Sequence, residues 1–300
     1  MRVIVLFMFF ALSLFSSSVF MITSTDAYRQ TQIVLSEIEI IKEHFNITAK
    51  SKSHTFNTEL FSRHTWQLTY EILIKLNILR AKHGIAKMPV TSMQPTLDLS
   101  PILTYEQINR ILLEIDFLKL HLGITKEPKE VRVDGTKNPT DVFNALLAIS
   151  RELDLINGFS FNPSFVFAEA MRIHDDVTNI LHFLKIKDDT IPPKKLANAT
   201  PSNSCATGIE ILKEIERLQK KANIKIVQLD ELSNIKEHTP SDTFLITEFI
   251  LAELQTIKAY IGMKDYVTPL AISFDGKKSE DTNQLLGWSL KKLQKIQSIR

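Results

Sequence analysis

The chain has 300 residues, of which 44% are hydrophobic and 23% are charged, and its 36 Lys and Arg nearly balance its 34 Asp and Glu. This composition excludes collagen-like, low-complexity and disordered proteins, and the single cysteine excludes a scaffold held by internal disulfides. A net charge of only +2 argues against binding of nucleic acid through charge, so we expect no nucleic-acid partner.

The N-terminal segment has the pattern of an export signal. A basic residue, Arg2, precedes an apolar run over residues 3–15, and the small residues that follow reach Thr25 and Ala27, an imperfect cleavage site. We therefore expect residues 1–27 to form a signal peptide and the protein to be exported, either to the periplasm or out of the cell. The alternative is that residues 3–22 remain as a membrane anchor, since about 20 mainly apolar residues can span a bilayer.

After this segment, one amphipathic pattern occurs eight times. The first residue of each unit is numbered as position zero. Positions +12 and +15 are then aliphatic in every unit, and Ile38 and Ile41 are the first such pair. The apolar positions alternate between spacings of three and four residues, which predicts an α-helix of about 20 residues in each unit. The eight units begin at Asp26, His64, Leu103, Asp141, Phe165, Asn203, Asp242 and Asp281.

Helix start signals accompany the pattern. A proline lies two residues before position zero in five units, as Pro240 does before Asp242. The short side chains at position zero, such as those of Asp26 and Asp141, are typical of N-caps, because their oxygens accept hydrogen bonds from exposed backbone N–H groups. We therefore predict an all-α protein of eight capped amphipathic helices.

The spacing of the units predicts an internal duplication. Phe165 follows Asp26 by 139 residues, and Asp242 follows Leu103 by the same 139. Identical residues recur at this shift, for example a lysine at position +16 of the third and seventh units. The sequence therefore predicts two tandem four-helix blocks, one over residues 28–160 and one over residues 161–300.

The connectors between helices are long, about 14 to 16 residues, whereas loops in compact domains are usually shorter. Fourteen extended residues reach ~46 Å, which exceeds the ~30 Å length of a 20-residue helix. A connector can therefore return along its helix, so that the next helix starts at the same end and runs parallel to the first. The alternative is a set of antiparallel helices joined by loose loops. At the joint between the blocks only a few residues link the helices, which predicts an antiparallel turn there.

Acidic residues occupy position +11 in six units, and they allow two interpretations. Carboxylates on facing helices bind metal in di-iron bundles, but those sites also need a histidine three residues after a glutamate, which none of the six has. The other interpretation is a solvated flank or pairing with lysines. The six residues are Glu37, Glu114, Glu152, Asp176, Glu214 and Glu253. We favour the second interpretation and predict no metal site and no cofactor.

The remaining candidates for chemistry lie in the fifth and sixth units. His174, Asp175 and Asp176 are consecutive, a pattern that metal phosphohydrolases use, but the other metal-binding elements of such enzymes are not evident. These three residues are kept as candidates for ligand binding. Cys205 has no cation within several residues to activate its thiol, so we interpret it as a small buried apolar residue. The sequence predicts no catalytic residue.

Repeated architecture without a catalytic motif favours a non-catalytic function. The first hypothesis is an exported binding or scaffolding module whose partner is another protein. The second is a ligand carrier or sensor domain that holds a small apolar molecule in a cavity between helices or between the two blocks. The third is an enzyme whose site is assembled from distant polar residues. A polar pocket in the groove between the blocks would be the most informative structural feature.

Overall fold

The computed structural model describes residues 21–51, 54–90, 100–159, 161–234, 238–263, 266–269 and 274–299. Within these ranges the protein is all-helical, as predicted, with eight α-helices, one 3-10 helix at Asp230–Asn234 and no strand. The α-helices are α1 (Ser24–His44), α2 (Ser62–Lys82), α3 (Pro101–Leu122), α4 (Pro139–Asn157), α5 (Pro163–Phe183), α6 (Pro201–Ala222), α7 (Pro240–Tyr260) and α8 (Ser279–Gln294).

Most of the predicted signal or anchor segment, residues 3–22, lies outside the described residues, so both predictions for it stay predictions. Among the helices that the structure describes, none has the length and apolar character needed to cross a bilayer.

The short polar residues at position zero lie three residues further into the helix than predicted. Asp26, Asp141 and Asp242 lie at the third helical position (N3), not at the N-cap. Their carboxylates accept hydrogen bonds from the backbone N–H of the N-cap residue three positions earlier, and the N-cap side chain accepts from the aspartate N–H in return. This reciprocal arrangement is a capping box, which satisfies two exposed donors instead of one.

The sixteen aliphatic residues at positions +12 and +15 form the centre of the core, as the pattern predicts. None of them is more than 3% exposed, and Ile156 is the most exposed of the set. Burying a Leu or Ile side chain stabilises the fold by about 1.5–3 kcal/mol, so these positions account for a large share of the apolar stabilisation.

The helices pack mainly within each half of the chain. In the first half, α1 and α2 each contact both α3 and α4; in the second half, α5 and α6 each contact both α7 and α8. The main helix contact between the halves joins α2 to α7. The pattern of neighbours is therefore the same in the two halves, although their origin by duplication stays a prediction.

Helices within one half run parallel, because residues at similar depths contact each other. Glu37 of α1 accepts a hydrogen bond from Lys119 of α3 at 2.5 Å, and both residues lie past the middle of their helices. Similarly, Lys75 of α2 donates to the hydroxyl of Ser150 of α4 at 2.8 Å. Antiparallel neighbours would place the start of one helix beside the end of the other.

The connectors after α1 and α5 make this parallel order possible by returning along the bundle, as predicted. The connector after α1 descends α4 through hydrogen bonds from Ser51 to Glu152, from Phe56 to Asn144 and from Leu60 to Thr140. The connector after α5 runs along α8 in the same manner. Trp288 donates to the hydroxyl of Thr190, Gln284 donates to the backbone oxygen of Pro193, and the backbone N–H of Asn198 donates to Glu280.

Candidate functional site

A cleft of about 370 Å³ lies between the two halves of the chain. One wall is a face of α2 that carries Ile74 and Ile78, which are four residues apart and therefore neighbours on the helix surface. The start of α5 lines the cleft with Phe165 and Ala168, and Phe244 of α7 also contributes to the lining. The volume falls within the range of small-molecule sites, about 300–1,000 Å³.

A cluster of buried polar side chains lies at the floor of the cleft and includes its lining residues Tyr70 and Glu169. Arg172 donates a hydrogen bond to Glu169 at 2.6 Å, and its guanidinium lies 5.1 Å from the centre of the Tyr70 ring. The Tyr70 hydroxyl also bonds to Glu169, and Glu248 of α7 completes the cluster. The cluster thus combines residues of α2, α5 and α7 and ties the halves together.

Burial shifts the pKa values of the two glutamates in this cluster. It raises the pKa of Glu169 and raises that of Glu248 well above its ordinary value, and the neighbouring carboxylate of Glu169 adds to the effect on Glu248. Among the described residues, no N–H or hydroxyl group donates a hydrogen bond to either carboxyl oxygen of Glu248. A hydrogen bond between the carboxyl groups of Glu248 and Glu169 further raises the pKa of Glu248. Burial also opposes the charge of Arg172, but Glu169 outweighs it and raises the pKa of the guanidinium.

A second buried network lies next to the cluster, on the α4 side of α2. The Lys75 ammonium contacts Glu71 at 2.9 Å and Asp154 at 2.8 Å, and the hydroxyl of Ser150 donates to Glu71 at 2.6 Å. Ser150 and Lys75 are the residue types of a Ser–Lys catalytic dyad. However, Ser150 is 0% and Lys75 1% exposed, so a substrate cannot reach the hydroxyl. We interpret the network as structural.

A buried histidine and glutamate form a third polar group between α2 and α7. Nδ1 of His64 accepts from the backbone N–H of Phe61 at 3.0 Å, so Nε2 carries the proton and donates to Glu253 at 2.8 Å. Burial lowers the pKa of His64, which is consistent with a neutral ring. Burial alone would raise the pKa of Glu253, but His64 and Arg63 lower it to about 2. Since His64 is fully buried, this pair also has a structural role.

The sequence candidates do not converge on one site. His174 faces α8, where it lies 4.4 Å from Trp288, and burial together with the charge of Lys292 lowers its pKa to about 4. Asp175 is exposed. Asp176 is fully buried and contacts Lys258 of α7 at 2.8 Å. The three side chains therefore point in different directions, and no group of three metal-ligating residues occurs in the part of the chain that the structure describes.

The acidic residues at position +11 each contact a basic side chain instead of one another. Four of the six are buried, so the solvated-flank interpretation is wrong for these four, and the pairing interpretation describes them. The contacts are Glu37 with Lys119, Glu114 with Arg80, Glu152 with Lys42, Asp176 with Lys258, Glu214 with Arg217, and Glu253 with Arg63.

Four of these pairs follow a rule that the sequence pattern did not reveal. In the first half, the residue at position +16 of each helix donates to position +11 of a neighbouring helix, and the contacts close a ring. The ring runs from Lys42 to Glu152, from Asn157 to the backbone oxygen of Lys75, from Arg80 to Glu114, and from Lys119 to Glu37. In the second half, Gln219 with Glu253 and Lys258 with Asp176 follow the same rule. This polar ring fixes the relative heights of the parallel helices.

The residues at the cleft floor were not among the sequence candidates, although a signal for them exists. Residues 139 positions before Glu169, Arg172 and Glu248 are Gln30, Ile33 and Asn109, none of which is charged. A charged residue in only one half of a duplicated pattern therefore points to a role specific to that half. No protein-family model, curated protein or solved structure matches the chain.

Proposed function

We propose that the chain is an exported, non-catalytic helical protein that binds a small organic molecule in the cleft between its halves. The observation that carries the proposal is the cleft itself, about 370 Å³ in volume, with aromatic and aliphatic walls above a polar floor. Concave sites of this size that combine apolar side chains with placed polar groups are typical of small-molecule binding.

The chemistry of the floor supports binding over catalysis. Glu169 accepts hydrogen bonds from Arg172 and Tyr70, so its carboxylate is not available as a general base. Burial raises the pKa of the Tyr70 hydroxyl, which disfavours its use as an acid or nucleophile near neutral pH. These groups form a closed network that shapes the floor of the cleft.

The proposed export rests on the N-terminal pattern and is supported by the environment of the single thiol. Cys205 is 0% exposed, and burial raises its pKa to about 12. An inaccessible thiol suits an oxidising compartment, where exposed cysteines form unwanted disulfides.

A fluorescence titration with N-phenyl-1-naphthylamine, a neutral apolar probe, tests the proposal. We expect saturable binding of about one probe per chain to the wild type. Ile78→Trp places a bulky ring in the cleft and should abolish binding. Leu113→Trp makes a similar change on the outer face of α3, where Leu113 is 68% exposed, and should leave binding intact. Equal binding by the wild type and Ile78→Trp would contradict the proposal.

A scaffolding role is the second candidate, and the outer face of α3 favours it. Leu113, Phe117 and Leu120 are 68%, 48% and 77% exposed and lie on one side of the helix. Exposed apolar stripes of this kind are typical of protein-binding surfaces. Replacing Leu113 and Leu120 by Asp should abolish association with a protein partner without changing probe binding in the cleft. Unchanged association of this variant would exclude the α3 face.

A further inference from the structure

We infer that a proton on Glu248 controls the contact between α2 and α7, so that loss of this proton widens the cleft and releases the molecule bound in it. The release of a ligand rests on the proposed function, whereas the movement of α2 can be measured without any ligand. The buried charges where the two halves meet carry this inference.

Three buried carboxyl groups share the contact between the halves with two buried cations. The five residues, none of them more than 2% exposed, are Glu71, Lys75, Glu169, Arg172 and Glu248. Arg172 is paired with Glu169 at 2.6 Å. Lys75 contacts Glu71 at 2.9 Å and Asp154 at 2.8 Å, so its charge is shared by two acids. Both cations are therefore engaged by carboxylates other than that of Glu248.

Glu248 is compensated by a proton instead of a cation. No cation among the described residues donates to its carboxyl oxygens. Its carboxyl group forms a hydrogen bond with that of Glu169, and such a bond requires a proton between the two groups. Burial and the charge of Glu169 raise the pKa of Glu248 well above its ordinary value, which agrees with this geometry. Without the proton, two carboxylates would repel each other in an interior that cannot hydrate them.

The neighbouring helices bring little positive charge to Glu248. It faces Tyr70 and Glu71 on α2, and Glu169 and Arg172 on α5. Of these groups, only the Arg172 guanidinium favours the charged form of Glu248, and it is already paired with Glu169. The α6 helix contacts α7 through uncharged residues such as Cys205, Gly208 and Gln219. A negative charge on Glu248 would therefore meet two other acids and one engaged cation.

Movement of α2 relieves the repulsion that follows loss of the proton. Glu169 and Glu248 lie on α5 and α7, which pack against each other within the second half, whereas α2 belongs to the first half. Tyr70 and Glu169 line the cleft, and Glu248 is buried next to them. Withdrawal of α2 lets water from the cleft reach both carboxylates, and hydration lowers the pKa of Glu248 toward its ordinary 4.5. Because the closed contact binds the proton more tightly, rising pH favours the wider cleft.

Distance measurements across the mouth of the cleft test the movement. Lys87→Cys and Asp275→Cys place one thiol on each half, at exposed residues that line the cleft, whereas the native Cys205 is 0% exposed. After spin labelling, pulsed electron–electron double resonance at pH 5, 7 and 9 gives the distances between the labels. We expect a second, longer distance whose population grows with pH, and no such population when Glu248→Gln is added. Glu130→Gln changes a glutamate side chain that is 78% exposed, and it should leave the pH effect intact.

Fluorescence titration with N-phenyl-1-naphthylamine, which is uncharged between pH 5 and 9, tests the release. We expect its Kd for the wild type to rise about tenfold where the closed population falls to about a tenth. In the Glu248→Gln variant the Kd should not change with pH. Far-UV circular dichroism at each pH shows whether the helices stay folded, so that opening is distinguished from unfolding.

Two results would overturn the inference: the same distance distribution at pH 5 and pH 9 without Glu248→Gln, or an equal shift with it. The first result does not need the Glu248→Gln variant, so it decides the question even where that variant does not fold. A growing longer distance with a constant probe Kd would overturn the release but support the movement. Probe binding that is independent of Ile78 would contradict the proposed function, whatever the distances show.

Discussion

Lys258 and Asp176 form a salt bridge of 2.8 Å between α7 and α5, and neither side chain is exposed to solvent. The hydroxyl of Thr268, in the connector after α7, accepts from Lys258 at 2.7 Å and donates to Asp176 at 2.9 Å. Burial lowers the pKa of Lys258, and the charge of Asp176 opposes this effect. The pair has a counterpart 139 residues earlier, in Lys119 and Glu37. A single buried contact therefore joins two parallel helices and the connector that returns along them.

Removing one partner of this salt bridge should be strongly destabilising. Lys258→Met leaves the carboxylate of Asp176 buried without its cation, and we expect the free energy of unfolding to fall by about 3–5 kcal/mol. Urea denaturation followed by circular dichroism measures this loss. Lys213→Met, whose lysine is exposed, should show no measurable change. The double variant Lys258→Met with Asp176→Asn should recover part of the loss, and a purely additive double variant would contradict the interpretation.

The cleft floor should make stability depend on pH. The pKa of Glu248 is raised well above the ordinary 4.5, because burial and the nearby Glu169 disfavour its charged form. The folded state then binds more protons than the unfolded state, so the free energy of unfolding falls as pH rises from about 4.5 through the raised pKa. Urea denaturation between pH 4.5 and 8 measures the slope.

The matched variant for this prediction is Glu248→Gln, which cannot lose a proton but keeps the shape of the side chain. We expect it to show a flatter pH profile and a larger free energy of unfolding than the wild type at pH 8. Glu71, Glu169, Arg172 and Tyr70 face the same interior and stay unchanged in the variant. If the free energy of unfolding changed with pH in the same way in both proteins, Glu248 would not be the source of the pH dependence.

The contact of α6 with α7 depends on a glycine. A Cβ atom added at Gly208 would lie 2.5 Å from Cγ2 of Ile246, a β-branched side chain that cannot rotate freely within a helix. Gly208→Ala would gain about 0.5–1 kcal/mol of helix propensity but would cost about 1–3 kcal/mol through overpacking. We expect net destabilisation, measured as a lower melting temperature. In an Ile246→Ala background the same substitution should cost less or stabilise, and equal costs in both backgrounds would argue against the clash.

The thiol of Cys205 should be inert in the folded protein. Burial raises its pKa to about 12, and its nearest polar partner is the hydroxyl of Thr243 at 3.3 Å. The thiolate is the reactive form, so 5,5′-dithiobis(2-nitrobenzoate) at pH 8 should label no thiol in the native protein and one in urea. Rapid labelling of the native protein would show that the α6 start opens readily.

The helical repeat was predictable because its signal is local. The aliphatic residues at +12 and +15 recur at a fixed spacing within each unit. The length of the connectors is likewise read directly from the sequence, and it allows neighbouring helices to run parallel. The cap position was displaced by three residues because Asp and Asn suit both the N-cap and N3. Only one side of the polar ring could be predicted from the sequence. The residues at +11 are acidic in six units, whereas their partners at +16 vary among Lys, Arg, Asn and Gln.

The cleft could not be predicted, because it depends on how the two halves meet. The contact of α2 with α7 brings Tyr70, Glu169 and Glu248 together, although they are far apart in the chain and belong to three helices. The periodicity of apolar residues within one helix does not predict which helices of the two halves pack against each other. The comparison of the two halves marks Arg172 as specific to the second half, but charged residues are normally exposed, so the sequence does not place it in the interior.

Native mass spectrometry of freshly purified protein tests the central claim most directly, namely that the cleft holds a small organic molecule. We expect a bound small molecule that dissociates on collisional activation in the wild type and in Leu113→Trp, and no such molecule in Ile78→Trp. A bound molecule retained equally in Ile78→Trp, or bare chains in all three samples, would contradict it.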